Sequence, residues 1–164
     1  MNGKRVKDKL DQVRALLRSQ TTLVLATTGA DSLPRSTPLF FFADDGLRLY
    51  WFSSSSSLHS RNCARNPEAS IAISNHARRW QQIQGVQMQG SVSLVAERSL
   101  RNTVARAYSA RFQLGNLFAF TIRRSSLYCF TPSWVRYLDN SRRFGYKFEM
   151  ALPADRQESP IPWT

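Results

Sequence analysis

The chain has 164 residues, 42% of them apolar, and a formal charge of +12. That length suits one domain, and the apolar share is enough to build a core. No apolar run approaches the roughly 18 residues a membrane span needs, and the basic start leads into no apolar signal core, so neither a membrane span nor a secretory peptide is expected.

Arginine supplies 19 of the 23 positive side chains, and its planar fork suits phosphate and carboxylate recognition. The charge is scattered, with no run of five or six like charges, so a basic arm for nucleic acid is not expected. Cys63 and Cys129 lie far apart and form no CxxC pair, which fits a reducing cytoplasm. His59 and His76 are the only histidines, and they make no metal-ligand pattern with the cysteines.

In chain order, Val6, Leu10, Val13, Leu16 and Leu17 draw one apolar stripe and predict an amphipathic helix over 4–18. Residues 21–28 are β-branched and apolar and read as a strand; 29–32 are turn residues. A second strand is expected over 35–43, a hairpin turn at Asp44, Asp45 and Gly46, and a third strand over 47–52. Five serines at 53–57 follow, then a short helix over 58–65 that Asn66 and Pro67 stop, with Ser57 as its N-cap. Residues 69–74 read as a strand. Residues 82–95 read as a longer one, with Gly85 and Gly90 marking bulges or close backbone approach. Leu100, Val104 and Tyr108 predict a helix over 97–112. A last long strand is expected over 117–130, interrupted in polarity at 123–126, and 151–164 reads as a tail after a domain of residues 1–150. Strands and helices in this order do not alternate as βαβ units. They predict a mainly β, α+β fold: a six-stranded antiparallel barrel with helices at its edges.

Three segments bear on chemistry. The serine run enters from an apolar strand and leaves directly into a helix. Composition alone allows a flexible linker; this context favours an anion cradle, because amide N–H groups at a helix start and serine hydroxyls all donate. His59 in the first turn and Arg35 on the second strand are its expected partners. Gln82, Gln84, Gln87 and Gln89 are expected to alternate to a polar strand face, which is either solvated or able to bind a heterocycle edge, with Gln87 the candidate. Trp134 and Arg136 share a strand face that either covers the barrel end or stacks on a flat ligand. No Ser-His-Asp or paired-carboxylate arrangement is suggested, so redox chemistry would have to come from a cofactor.

Several segments together resemble the pyridoxamine 5′-phosphate oxidase-like, FMN-binding split-barrel family, most closely its YhbP-like branch. The general pattern is carried by Arg35, Ser36, Thr37, Pro38 and Leu39, by Trp51, Phe52 and Ser53, and by Ser57, Leu58 and His59 before Asn66 and Pro67. The branch pattern is carried by Ile83 to Gln87 with Gly90, by Ala105 to Tyr108 with Arg111 and Phe112, and by Asp139, Asn140, Phe144, Gly145 and Lys147. The resemblance covers residues 8–150 and implies a split barrel, a homodimer and FMN in a groove between protomers. It implies that Arg35, Ser57 and His59 face the phosphate, and Ser36 is carried over with them as cofactor-binding. Thr37, Trp51, Phe52 and Ser53 would line the ribityl chain and ring, and Gln87 and Trp134 would stand near the isoalloxazine. A flavin-dependent oxidoreductase acting on a small substrate is the implied activity; a non-catalytic flavin- or heme-binding protein is the alternative. Many members carry lysine where His59 stands, and the arginine-histidine substrate motif near the C-terminus is absent here, so oxidation of pyridoxamine phosphate itself is not the expected reaction.

Overall fold

A computed structural model describes residues 2–113 and 116–153. Helix α1 (Asn2–Ser19) leads into β1 (Thr22–Thr28), β2 (Pro34–Phe40), β3 (Phe42–Ala43) and β4 (Leu49–Ser53). Helix α2 (Leu58–Arg65), β5 (Glu68–Ser74), a single 3-10 turn and β6 (Gln84–Leu94) come next. The chain ends with α3 (Arg98–Phe112), α4 (Asn116–Arg124), β7 (Ser126–Asp139) and β8 (Lys147–Ala151).

The strand path runs β2-β1-β5-β6-β7-β4-β3, with β8 added beside β7. β2 and β3 stand at opposite ends of that path, yet only Phe41 separates them in sequence. The sheet must therefore curl until its ends meet in one bent ribbon, whose first half pairs with β1 and whose second half pairs with β4. Counted as one strand, that ribbon makes a six-stranded wall, the split barrel expected from the sequence. Phe41 at the bend is fully buried, and its N–H donates to Thr21 O at 3.1 Å.

Two apolar cores follow from the two faces of this wall. Leu23, Leu25, Leu49, Trp51, Ile71, Met88 and Phe130 fill the barrel interior, and the α1 stripe of Leu10, Val13, Leu16 and Leu17 packs into the same core. On the outer face of β4 and β7, Tyr50, Leu127 and Cys129 meet Val104 and Tyr108 of α3 and Ile122 of α4. At the bulge between Gln89 and Gly90, a Cβ on residue 90 would stand 2.1 Å from Thr131 O, so only glycine fits.

Three expectations are corrected. Residues 117–124 form helix α4, not the first part of a strand, and β7 begins only at Ser126. A tertiary contact settles this end: Arg101 of α3 donates to Ile122 O at 2.9 Å and Ser125 O at 2.8 Å, satisfying carbonyls at the helix C-terminus. Strand β8 was not anticipated; Phe148 stacks on Tyr137 across the β7–β8 ladder. Ordered structure also passes residue 150, since Ala151 pairs with Trp134 and Leu152 N–H donates to Ser133 O at 2.8 Å. The remainder of the expected tail, from 154 onward, lies outside the described residues. At the β3–β4 turn the left-handed position falls on Leu47 (φ 70°) rather than Gly46, and full burial of Leu47 offsets the backbone strain.

Candidate functional site

Strand β4 delivers Ser53 to its C-terminal end, and the chain turns through 54–56 into α2. Ser57 adopts the extended N-cap conformation (φ −65°, ψ 153°) and its Oγ accepts from Ser60 N–H at 3.3 Å, as expected for a serine ahead of a helix. That geometry brings the side chains of the turn together. His59 Nε2 lies 2.8 Å from Ser53 Oγ and 3.1 Å from Ser57 Oγ. Ser57 Oγ in turn lies 3.3 Å from Ser53 Oγ and 2.8 Å from Ser60 Oγ. His59 and Ser60 are buried. Burial holds the His59 pKa below its ordinary value of 6.5, so the ring is neutral at pH 7.

The cluster consists of three hydroxyls, one imidazole and the start of a helix, with no carboxylate among its hydrogen-bond partners. Every one of these groups is able to donate to an oxyanion, and the helix dipole has the same sign preference. The donor set therefore fits a phosphate. It does not suit nucleophilic catalysis by the nearby thiol, since burial pushes Cys63 up to about 11.

Arg35 does not join the cluster directly. It pairs with Asp31 at 2.7 Å within the β1–β2 hairpin and donates to Leu33 O at 3.2 Å. Gly29 leaves room for the pair; a Cβ there would meet Asp31 Oδ1 at 2.6 Å. Hydrogen bonding from Arg35 holds the Asp31 carboxyl below its usual range. Arg35 stands opposite Thr27 in the ladder, and Thr27 Oγ1 accepts from Asn62 Nδ2 of α2 at 3.0 Å. Register and one buried hydrogen bond thus tie the arginine-bearing hairpin to α2. Sequence reasoning missed Thr27, Asn62 and Ser60. The two polar partners Thr27 and Asn62 are 35 positions apart, and no local spacing joins them.

The other expected residues divide between faces. Trp51 is inside the barrel, stacked on Tyr128 with ring centroids 6.1 Å apart, while its Nε1 is buried without a hydrogen-bond partner among the described residues. Phe52 points the opposite way, edge-on to Tyr108 at 5.3 Å, in the second core. Adjacent strand residues face opposite ways, so the two side chains cannot line one groove. Thr37 faces inward opposite Leu25, while Ser36 faces outward opposite Ala26.

The outward face carries two rows that cross the sheet. One runs Pro38, Val24, Ala72, Gln87, Arg136, Glu149; the other runs Ser36, Ala26, Ser70, Gln89, Trp134, Ala151. Ser36, Gln87 and Trp134, far apart in sequence, therefore share one surface; of the four glutamines expected on one face only Gln87 and Gln89 lie there, since Gln84 shares the alternation of buried Val86 and Met88 and Gln82 belongs to the 3-10 turn. Arg136 lies over the Trp134 ring at 5.4 Å, pairs with Glu149 at 2.8 Å and reaches Gln87 Oε1 at 3.4 Å. The inner and outer sets lie on opposite sides of the wall.

The family model described as "Pyridoxamine 5'-phosphate oxidase" matches residues 10–139 of the sequence. The chain belongs to the pyridoxamine 5′-phosphate oxidase family. Solved structures agree on the fold. A conserved hypothetical protein from Mycobacterium tuberculosis superposes with a TM-score of 0.71 at 18% identity, over 79% of this chain and 84% of that one. A protein from Clostridium acetobutylicum related to general stress protein 26, of the pyridoxinephosphate oxidase family, gives a TM-score of 0.65 at 13% identity over 87% and 94% of the two chains. The heme storage protein HutZ of Vibrio cholerae gives 0.63 at 19% identity over 74% and 88%. No curated protein matches the sequence. Among the described residues there is no group of three or more potential metal ligands, and no helix is long and apolar enough to cross a membrane.

Proposed function

We propose that the chain is an FMN-binding flavoprotein of this family, close to its YhbP-like branch, that works as a homodimeric oxidoreductase on a small substrate. The observation that carries the reading is the cluster of Ser53, Ser57, Ser60 and His59 at the start of α2, rich in donors and free of carboxylates. Ser57 and His59 would hold the FMN phosphate from one side, and Arg35 would turn its guanidinium from Asp31 to a phosphate oxygen. Bound flavin would supply the hydride or electron transfer that no side chain of this protein offers.

The dimer is supported by the outward sheet face. Across β2, β1 and β5 its rows carry small or apolar residues at Val24, Ala26, Ser36, Pro38, Ser70 and Ala72, and Val24 remains 42% exposed. A second copy covering that face would bury this surface and bring Gln87 and Trp134 to the edge of a shared groove. Both cysteines are free and buried, in keeping with a reducing cytoplasm.

The test is an absorption spectrum of purified protein before and after FMN is added. Flavin bands that shift on binding, at one FMN per protomer, support the reading; protein that ignores FMN overturns it. Heme is the second reading, favoured by the similarity of fold to the heme storage protein HutZ. It would require His59 Nε2 to leave both serines, or the exposed His76 to act as ligand. A Soret band on heme addition that is lost in His59→Ala would favour it over FMN.

A further inference from the structure

We propose that a second anion site, for a ligand carrying a chain of phosphate groups, lies between α3 and α4 on the outside of the barrel. The two helices enclose an open cleft of about 970 Å³. Arg98, Asn102, Arg106 and Ser109 line one wall, and Arg123 lines the other. Arg98, Asn102 and Arg106 recur every four residues and so share one face of α3. No aspartate or glutamate lines the cleft among the described residues. The nearest acid in sequence, Glu97, already accepts a hydrogen bond from Ser99 Oγ.

The fourth arginine, Arg101, has a structural task. It donates to the carbonyls of Ile122 and Ser125 and lies over the Phe52 ring at 5.3 Å, fixing α4 against α3. This leaves Arg98, Arg106 and Arg123, all exposed, facing a common space with neutral donors between them. Like charges gathered this way repel one another unless an anion lies between them. Guanidinium forks match phosphate oxygens two at a time. A cleft of this volume with cations on both walls suits a chain of phosphates better than a single one.

The experiment is calorimetric titration of the full chain at low salt with inorganic tripolyphosphate, and separately with ATP. The Arg98→Gln/Arg106→Gln double variant should weaken tripolyphosphate binding by about tenfold or more, since each lost guanidinium–phosphate contact is charge-assisted. Arg78→Gln/Arg79→Gln, with the same charge change in the segment before β6, should alter it by less than about twofold. FMN binding should be unchanged in both. Equal ATP and tripolyphosphate affinities identify the phosphate chain as all that is recognised, and tighter ATP binding adds a nucleoside contact. Equal weakening by the two double variants, no heat with the wild type, or binding of ATP alone would each overturn the proposal. Should the double variant fail to fold, Arg123→Gln tests the opposite wall by the same readout.

Discussion

Asn62 of α2 donates to Thr27 Oγ1 of β1 at 3.0 Å, and both side chains are buried. Thr27 also stands opposite Arg35 in the hairpin, so this one bond sets where the helix start lies relative to the arginine. Removing one partner leaves the other buried and unsatisfied, which costs about 1–3 kcal/mol, whereas replacing both with apolar groups of similar shape is nearly neutral. Asn62→Leu alone should therefore lower unfolding free energy by about 1–3 kcal/mol. Thr27→Val with Asn62→Leu should recover most of that loss. A double-mutant cycle by urea denaturation reads both. The double variant should still bind FMN more weakly than wild type, because stability returns without the tie that positions α2.

Gly90 gives the sharpest backbone prediction. A Cβ at this bulge would stand 2.1 Å from the Thr131 carbonyl oxygen and 2.8 Å from Pro132 Cα, both main-chain atoms that cannot swing aside. Gly90→Ala should destabilise by about 3 kcal/mol or more, at the upper end of overpacking costs. Gly3→Ala, where a Cβ meets nothing within 4 Å inside helix α1, should instead be neutral or stabilising by up to about 1 kcal/mol. Thermal melts of the two variants side by side make the comparison.

The bulge at Gly90, the N-cap at Ser57 and the hairpin turn at 44–46 were legible because each is a local device with a fixed spacing. Closure of the barrel was legible only as a class, since the bend at Phe41 that lets one ribbon pair with both β1 and β4 has no glycine or proline to announce it. Helix α4 was misread because its apolar residues suit either period, and a contact from Arg101, more than twenty positions earlier, stabilises the helical end. Within the site, Ser53, Ser57 and His59 were legible because they fall within one turn. The family resemblance places Trp51 and Phe52 beside them, but alternation along β4 sends the two side chains into separate cores.

His59 should make stability depend on pH. Burial lowers its folded pKa below the ordinary 6.5. Above that value neither state holds the proton, and the folded state bears no penalty. As pH falls from about 6.5 toward the folded pKa, the unfolded chain takes up a proton that the folded chain refuses, so stability declines across that window. His59→Gln should flatten the melting temperature between pH 7.5 and about 5.5 relative to wild type. A wild-type curve that rises toward acid pH would show that the ring gains a proton in the fold instead.

Ser57 has two roles that one substitution separates. Its Oγ caps α2 by accepting from Ser60 N–H, and under the proposed function it also meets the flavin phosphate. Ser57→Ala removes both, so it should cost about 1 kcal/mol of stability and weaken FMN binding as well. Ser57→Asp keeps an N-cap acceptor, and aspartate is as good as serine in that position. It also places a negative charge at the positive end of the helix, which on its own stabilises α2. The aspartate variant should therefore melt at or above the wild-type temperature. Its carboxylate would sit where the dianionic phosphate binds, and like-charge repulsion at this half-buried position should reduce FMN affinity by about a hundredfold or more. Stability measured by thermal melt and affinity measured by flavin fluorescence should thus move in opposite directions for Ser57→Asp and in the same direction for Ser57→Ala. If the aspartate variant binds FMN as tightly as wild type, Ser57 is only a helix cap and the phosphate lies elsewhere.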